Sequence, residues 1–273
     1  MVTIGEAIRL ATARLAKVSE TSRLDAELLM AHALEVEREA LLLSGLKDDA
    51  PAHFQALVLR REAGEPVAYI TGRRAFWTIE LEVGPGALVP RPDSETLIEA
   101  ALAHFGKAGP TTILDLGTGP GTLLLAALDQ WPQARGLGID RSEAALAMAR
   151  GNAERLGLAA RAEFRRGDWA EGLQGAFDLV LCNPPYIEQG AELPRDVSQW
   201  EPHEALFAGP DGLDDYRRLA PEVPRLLAPG SIACFEIGAS QEQAATALFL
   251  AQGLAVRTRH DLAGRPRCLV LTA

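Results

Sequence analysis

Four consecutive residues carry the clearest chemistry in the chain: Asn183, Pro184, Pro185 and Tyr186. They follow an apolar run over 177–182 that is typical of a buried strand. Both prolines fix φ and lack an N–H, so the turn cannot continue a strand ladder. It can instead direct backbone carbonyls and one side-chain carboxamide at a ligand, with the tyrosine ring packed beside it. Such a turn suits a planar –NH2 group, whose two hydrogens need two acceptors.

A glycine-rich turn is the second segment that could do chemistry. It follows an apolar run that contains Asp115 and opens into a helical pattern, in the order Gly117, Thr118, Gly119, Pro120, Gly121. Glycines let the backbone turn sharply and let a ligand come close. Asp140 ends the next predicted strand, where an acid can bind both hydroxyls of a ribose. The turn lacks the GxGxxG spacing of dinucleotide enzymes and, with Asp115, fits a nucleoside-sulfonium ligand better than a pyrophosphate. The alternative is a tight strand–helix turn with a capping aspartate.

Composition narrows the functional classes. The chain has 273 residues, 48% hydrophobic, a formal net charge of −10 and a pI of about 5.1. An acidic balance argues against broad binding to nucleic acids, because phosphate neutralisation supplies most of that affinity. The cysteines lie in apolar runs without a CxxC pair, so we expect reduced core thiols and no metal site. We expect no signal peptide and no membrane span, and hence a cytoplasmic protein.

The pattern before residue 75 is helical. Thr3 and Glu6 have capping-box spacing and predict a first helix, and Ser22 with Asp25 predicts the start of a second. A third helix is predicted over 38–43 with Gly45 as its stop. A fourth is predicted from Pro51 to a stop at Gly64. An alternation of apolar and polar residues over 77–83 then predicts a strand with one solvent-exposed face.

After residue 90 the chain alternates strand and helix, which predicts a parallel sheet covered by helices. The final strand pair is separated by too short a loop for a crossover, so that pair should be antiparallel. Strands are predicted over 112–116, 136–140, 162–166, 178–182, 232–237, 254–259 and 268–272. Helices are predicted from Asp93 or Ser94 to Phe105, over 122–130, 143–156 and 214–227, and from Ser240 onward.

Several segments together resemble one family. They read EPVAYITG (65–72), LVPRPDSE (88–95), FDLVLCNPPYI (177–187), WEPHEAL (200–206), GPDGLDDY (209–216), EIGASQ (236–241) and DLAGRPR (261–267). The series resembles the peptide chain release factor glutamine methyltransferases, which belong to the class I S-adenosylmethionine-dependent methyltransferases. The resemblance implies an α/β, Rossmann-like fold with a mixed seven-stranded sheet. It also implies a helical bundle over 1–75 for substrate recognition, a hairpin linker over 76–90 and a methyltransferase domain over 91–273.

The resemblance implies methylation of the glutamine side-chain nitrogen in the Gly-Gly-Gln motif of class 1 release factors. S-adenosyl-L-methionine would be the donor, S-adenosyl-L-homocysteine the product and the release factor the partner, without direct nucleic-acid binding. The resemblance implies catalytic roles for Asn183, Pro184 and Tyr186, and substrate binding by these three residues together with Pro185. The expected cofactor contacts are Asp115, Gly117, Thr118, Gly119, Pro120, Gly121, Asp140, Trp169 and Asn183.

Other interpretations stay open at this point. The Asn-Pro-Pro-Tyr turn is shared with adenine methyltransferases, so a DNA or RNA enzyme acting on an exocyclic amine is the alternative. Trp169 either stacks on adenine or packs in the core. Arg91 lines the site or forms a salt bridge in the linker. Glu236 is expected to be a structural hydrogen-bond partner rather than a catalytic acid.

Overall fold

The computed structural model describes residues 2–44 and 46–273, and the chain divides into two compact units. The first comprises the chain up to Arg73 together with Leu193–Glu201. The second comprises Arg74–Glu192 and Pro202–Ala273.

The first unit is helical. Its helices pack around a core of aliphatic side chains that includes Ile8, Leu29, Met30 and Phe54. The helices are α1 (Ile4–Leu15), α2 (Ser22–Ala33), α3 (Arg38–Ser44), α4 (Phe54–Glu62) and α5 (Val67–Thr71), and a later short helix, α9, covers Arg195–Ser198.

The starts of the first two helices are confirmed, and the start of the fourth was predicted wrongly. The Thr3 hydroxyl caps α1 by accepting from the Glu6 N–H. α2 begins at Ser22, and the hydroxyl of the preceding Thr21 donates to Asp25 at 3.0 Å. α4 begins at Phe54 rather than Pro51, because residues 52 and 53 form a turn. The predicted stop at Gly45 lies outside the described residues.

A buried ion pair that the sequence pattern did not reveal lies in the helical unit. The Arg61 Nε donates to the Asp25 carboxylate at 2.8 Å, and both side chains are less than a tenth exposed. A terminal nitrogen of Arg61 also donates to Asp196 at 3.1 Å. The bond to Asp25 joins α4 to α2, and the bond to Asp196 joins α4 to α9. Removing one partner would leave the other charge buried without compensation.

The second unit contains a seven-stranded sheet in the order β5-β4-β3-β6-β7-β9-β8. The first five strands in that order are parallel, and β9 pairs antiparallel with both β7 and β8. This confirms the mixed sheet and its antiparallel last pair. The strands are β3 (Thr112–Leu116), β4 (Arg135–Asp140), β5 (Ala162–Arg166), β6 (Phe177–Cys182), β7 (Leu227–Glu236), β8 (Ala255–His260) and β9 (Pro266–Thr272), and a separate two-stranded sheet contains β1 (Arg73–Phe76) and β2 (Ile79–Glu82).

Helices cover the sheet much as the pattern predicts, although the last one begins at Glu242 rather than Ser240. The helix predicted over 214–227 is two short helices, because Pro221 lacks the N–H that would continue the first one beyond Ala220. The strand predicted over 77–83 is limited to β2, since Trp77 has a positive φ of 54°. The helices are α6 (Glu95–Phe105), α7 (Thr122–Gln130), α8 (Glu143–Arg155), α10 (Asp214–Leu219), α11 (Val223–Leu226) and α12 (Glu242–Leu250), with 3-10 turns at Pro92–Ser94 and His203–Ala205.

The sheet brings the two sequence motifs to the same edge. β4, β3 and β6 are adjacent and parallel, so their carboxyl ends lie side by side. The glycine turn follows β3, Asp140 ends β4, and Asn183 follows β6. The described part of the chain contains no helix that could cross a membrane. All three cysteines are buried free thiols.

We predict that Arg61→Met lowers the free energy of unfolding by about 3–5 kcal/mol, because Asp25 would remain buried without its cation. Urea unfolding followed by circular dichroism measures this. Arg9→Met serves as the control, since Arg9 is exposed and lies 3.8 Å from Glu6, a kind of pair that contributes about 0–1 kcal/mol. Adding Asp25→Leu to Arg61→Met should recover part of the loss. An Arg61→Met protein as stable as the control would contradict this assignment.

Candidate active site

The glycine turn after β3 has a backbone that only glycine adopts easily. Gly117, Gly119 and Gly121 have φ values of +72°, +57° and +88°. A Cβ on Gly117 would lie 2.9 Å from the Trp169 ring, and one on Gly121 would lie 2.7 Å from Leu125. A Cβ on Gly119 would meet nothing within 4 Å. The turn is therefore tightly packed at its ends and open in its middle.

Asp115 lies beneath this turn, and only 1% of its surface is exposed. Its Oδ2 accepts hydrogen bonds from the Thr118 hydroxyl at 2.7 Å and the Leu124 N–H at 3.2 Å. Its Oδ1 has no partner. Burial raises the pKa of Asp115 to about 7, against the opposing effect of these two donors. The carboxyl group is thus held in place through one oxygen, and the other oxygen remains unsatisfied.

Asp140 closes the turn from the end of β4. Its Oδ2 accepts from the Gly119 N–H at 2.8 Å, and its Oδ1 accepts from the Ser142 N–H at 2.8 Å. These bonds fix the orientation of the carboxylate and leave further lone pairs on both oxygens. The side chain lines a cleft together with Gly117 and Gly119.

Trp169 forms another part of the cleft. It adopts a positive φ of 50°, which is uncommon for a bulky residue. Its indole Nε1 donates to the Asp215 carboxylate at 3.0 Å, and its ring packs against Gly117. Burial raises the pKa of Asp215 above its ordinary value, and the bond from Trp169 opposes that shift. Trp169 is half-buried and borders the cleft, although part of the ring also packs against the sheet core.

The turn after β6 contributes the remaining functional groups. The Asn183 Nδ2 donates to the Ser94 hydroxyl oxygen at 3.2 Å. Among the described residues, no group donates a hydrogen bond to the Asn183 Oδ1. The Tyr186 hydroxyl donates to the Glu236 carboxylate at 3.2 Å, and the Gln241 Nε2 donates to the Tyr186 carbonyl at 2.8 Å. The turn is thus held at both ends by side chains from other elements.

The structure brings many of the sequence-predicted site residues to one cleft. Those that line it are Gly117, Gly119, Asp140, Trp169, Asn183 and Pro185. Five others are buried: Asp115, Thr118, Pro120, Gly121 and Pro184. The Tyr186 hydroxyl donates to Glu236, behind the turn, rather than into the cleft. The roles given to all of these residues stay predictions, because no bound ligand tests them.

Some residues that line the cleft were not predicted from the sequence as site residues. Gly86, Ala87 and Leu88 line the cleft, although the pattern suggested only a turn there. Asp215 lines it as well. The GPDGLDDY segment carried the resemblance, but nothing in it showed which of its acids faces the indole of Trp169. The contact becomes visible only when α10 packs near the end of β5.

Glu236 lies behind the turn and is fully buried at the end of β7. Burial raises its pKa to about 7, while the Ser94 hydroxyl, the Arg267 guanidinium and the Tyr186 hydroxyl favour the ionised form. Burial and the same carboxylate raise the pKa of Tyr186 well above its ordinary value. The Tyr216 hydroxyl donates to the Glu236 carbonyl at 2.7 Å. Glu236 is therefore a hydrogen-bond partner, as expected, and it serves the turn that contains Asn183.

Comparison with known proteins agrees with this geometry. A model described as the PrmC N-terminal domain matches residues 6–72, and a methyltransferase domain model matches residues 108–250. The chain is 45% identical over 257 residues to a release factor glutamine methyltransferase from Rhodospirillum rubrum, covering 92% of this chain and 79% of that one. It is 43% identical to a protein of the same name from Caulobacter vibrioides, covering 90% and 88%.

Solved structures extend the comparison to the fold. A methyltransferase from Pyrococcus furiosus matches with a TM-score of 0.54 at 18% identity, covering 81% of this chain and 98% of that one. The methyltransferase domain model and the curated relatives, together with this fold, make the chain an S-adenosylmethionine-dependent methyltransferase of class I. The chain belongs to the release factor glutamine methyltransferase family.

The pKa of Asp115 predicts how stability depends on pH. The folded state favours the protonated carboxyl up to about pH 7, whereas an unfolded aspartate ionises near pH 4. Stability is therefore greatest below that lower value, falls as pH rises between the two values, and then levels off. Asp115→Asn keeps the shape of the side chain and removes the ionisation.

We predict that Asp115→Asn reduces the loss of unfolding free energy between pH 5 and pH 8, by at most about 3 kcal/mol. Urea titrations of the ligand-free protein at the two pH values measure it. Glu99→Gln, on an exposed part of α6, should leave the loss unchanged. An equal loss in both variants would show that Asp115 is ionised in the fold at pH 5.

Proposed function

We propose that this protein transfers a methyl group from S-adenosyl-L-methionine to the side-chain amide nitrogen of the glutamine in the Gly-Gly-Gln motif of class 1 peptide chain release factors. It would thereby act in translation termination. The observation that carries the proposal is that Asn183, Gly117, Gly119 and Asp140 open into one cleft. A group able to bind an amide and a turn able to bind a nucleoside are therefore neighbours.

The residues present fit this cosubstrate. The fixed Asp140 carboxylate can accept from ribose hydroxyls, and the Trp169 ring offers a flat face for adenine. The unpartnered Asp115 Oδ1 is an acceptor suited to the cationic amino end, directly or through water. When bound, S-adenosyl-L-methionine supplies an electrophilic methyl group on a sulfonium centre, and S-adenosyl-L-homocysteine is its product.

Asn183 and Pro184 would prepare the nucleophile. An amide nitrogen shares its lone pair with the carbonyl and barely attacks an electrophile unaided. The Asn183 Oδ1 and the Pro184 carbonyl oxygen would accept its two hydrogens, which fixes the amide plane and stabilises positive charge as it develops on nitrogen. Positioning matters most, since productive geometry needs the reacting atoms about 3–3.5 Å apart.

Tyr186 would orient the substrate rather than transfer a proton. Its hydroxyl is committed to Glu236, and its pKa is raised well above the ordinary value. Its ring can pack against the substrate amide. A methylated amide nitrogen is strongly acidic and loses its proton to water, so the reaction needs no strong general base.

Family membership supports the choice of partner and compartment. The curated relatives are named release factor glutamine methyltransferases, and because release factors act on ribosomes, this supports a cytoplasmic location. We assign the helical part, 1–75, to recognition of the release factor, 76–90 to a hairpin linker and 91–273 to methyl transfer. No direct nucleic-acid binding is part of the proposal.

The function is tested by incubating the protein with S-adenosyl-L-methionine carrying a deuterated methyl group and either a class 1 release factor or DNA and RNA. Peptide mass spectrometry then locates the label. We expect it on the glutamine of the Gly-Gly-Gln motif and on no nucleic acid. Label on adenine but not on the release factor would replace this proposal with the nucleic-acid alternative.

Asn183→Ala should lower the methylation rate by about 10²–10³-fold or more, because one of the two acceptors for the amide is lost. The unfolding midpoint should remain near that of the unaltered protein. Gln133→Ala is the matched control, since that carboxamide is exposed in the connection before β4, at the opposite edge of the sheet. A near-normal rate in Asn183→Ala would refute the role given to this residue.

Exposed leucines of the helical unit offer a test of its recognition role. Leu43 and Leu59 are 86% and 57% exposed. We predict that Leu43→Ser with Leu59→Ser raises KM about tenfold for a whole release factor and leaves KM unchanged for a short Gly-Gly-Gln peptide. Leu250→Ser, on the 54% exposed Leu250 of α12, is the control. Equal changes with both substrates would indicate that these two leucines do not recognise the release factor.

A further inference from the structure

The indole of Trp169 is held at two of its edges. Its Nε1, on the five-membered ring, donates to the Oδ1 of Asp215 at 3.0 Å. Its six-membered ring packs on the glycine turn, since a Cβ built on Gly117 would lie 2.9 and 3.3 Å from two of its carbons. Both Trp169 and Asp215 line the cleft. A hydrogen bond at one edge and a close contact at the other fix the plane of the ring.

Asp215 is a rigid partner because the helix that carries it is anchored. It lies in the first turn of α10, and its side chain is 16% exposed. The next residue, Tyr216, is fully buried, and its hydroxyl donates to the Glu236 carbonyl at 2.7 Å. Leu219, at the end of the same helix, is buried as well. The acceptor for the indole is therefore fixed by the sheet core.

The backbone at Trp169 is strained and points to a ligand site. Its φ of 50° lies in the left-handed region, which a bulky side chain rarely adopts. Such conformations persist where the surrounding contacts hold them, and they cluster where ligands bind. The indole is therefore directed into the cleft by its backbone and fixed there by its contacts.

The contact between Asp215 and the indole does not require a charge. An indole N–H only donates, and a carboxyl group retains an accepting oxygen whether it is ionised or protonated. Burial raises the pKa of Asp215, and the bond from Trp169 opposes that shift, but an acceptor is present in either state. The Arg218 guanidinium lies 3.7 Å from Asp215 and donates to Asp168 at 2.7 Å, so it is directed mainly at the other acid.

We propose that Asp215 is a positioning residue that holds the Trp169 indole in the plane that stacks on the adenine ring of S-adenosyl-L-methionine. The proposal rests on the proposed function, which assigns Trp169 to adenine. Asp215 acts through the indole and does not itself bind the cosubstrate. Without this bond the ring could turn about its side-chain torsions, and binding would have to order it again at a cost in affinity.

Calorimetric binding of S-adenosyl-L-homocysteine to the ligand-free protein tests this role. Asp215→Ala removes the acceptor and should raise the dissociation constant about tenfold, roughly the loss of one hydrogen bond. Asp215→Asn keeps an acceptor oxygen and should stay within about twofold of the unaltered protein. Asp214→Ala is the matched control, since Asp214 lies in the same helical turn but is exposed. If unfolding midpoints show that the alanine variant does not fold, Asp215→Leu repeats the test without an acceptor.

Trp169→Phe separates action through the indole from direct contact with the ligand. Phenylalanine keeps a flat ring but has no N–H, so Asp215 no longer has a donor to hold. In the Trp169→Phe background, Asp215→Ala should therefore change the dissociation constant by less than about twofold. A tenfold loss in that background would show that Asp215 acts on the ligand itself and would overturn the inference.

NMR spectra of the protein with isotope-labelled tryptophan observe the bond in solution. The Trp169 indole N–H signal is identified by its absence in Trp169→Phe. We expect this signal to move in Asp215→Ala and to keep its position in Asp214→Ala. An unmoved signal in Asp215→Ala would mean that the indole does not donate to Asp215, which contradicts the proposal.

Kinetics toward a Gly-Gly-Gln peptide give a second separation. Asp215→Ala should raise KM for S-adenosyl-L-methionine about tenfold and leave kcat within about twofold, because only binding is weakened. Unchanged affinity in Asp215→Ala, or an Asp215→Asn protein that binds as weakly as Asp215→Ala, would overturn the inference. Failure of the proposed function differs from these results: the unaltered protein would bind S-adenosyl-L-homocysteine but methylate no release factor.

Discussion

The hydrogen bond from Asn183 to Ser94 is the interaction on which the rest of the site depends. An amide nitrogen is a poor nucleophile, so the protein must present acceptors in a fixed direction rather than a strong base. The two prolines after Asn183 keep the turn out of the sheet, and Ser94 fixes the carboxamide at 3.2 Å. The parallel strands then place this carboxamide beside the glycine turn. In the proposed function, these elements together hold the substrate amide close to the methyl donor.

The site depends on acidic groups held where water does not reach. Asp115 and Glu236 are almost wholly buried, and burial raises the pKa of each to about 7. Isolated buried carboxylates are costly, which is why each has hydroxyl or N–H partners on at least one oxygen. The remaining unpartnered oxygens are Oδ1 of Asp115, beneath the glycine turn, and Oε2 of Glu236, behind the turn that contains Asn183. Burying these oxygens without partners costs stability.

Much of the fold follows from hydrophobic periodicity. The strands over 112–116 and 162–166 and the helix over 122–130 have the predicted bounds, because apolar runs between turn signals leave little choice. The family, and with it the mixed sheet, was predicted from segments spread along the chain and is confirmed by the comparisons. The Asn183–Ser94 hydrogen bond and the Arg61–Asp25 pair could not be predicted, since each joins residues 36 or more positions apart and neither follows a local pattern. The roles of the cleft residues remain predictions.

The most direct measurement of the central claim is a crystal structure of the protein with S-adenosyl-L-homocysteine and a peptide that contains Gly-Gly-Gln. The account predicts the glutamine side-chain nitrogen about 3 Å from both the Asn183 Oδ1 and the Pro184 carbonyl oxygen, directed toward the sulfur of the spent cosubstrate. A glutamine side chain bound elsewhere, or bonded to the Asn183 nitrogen through its own carbonyl oxygen, would contradict it.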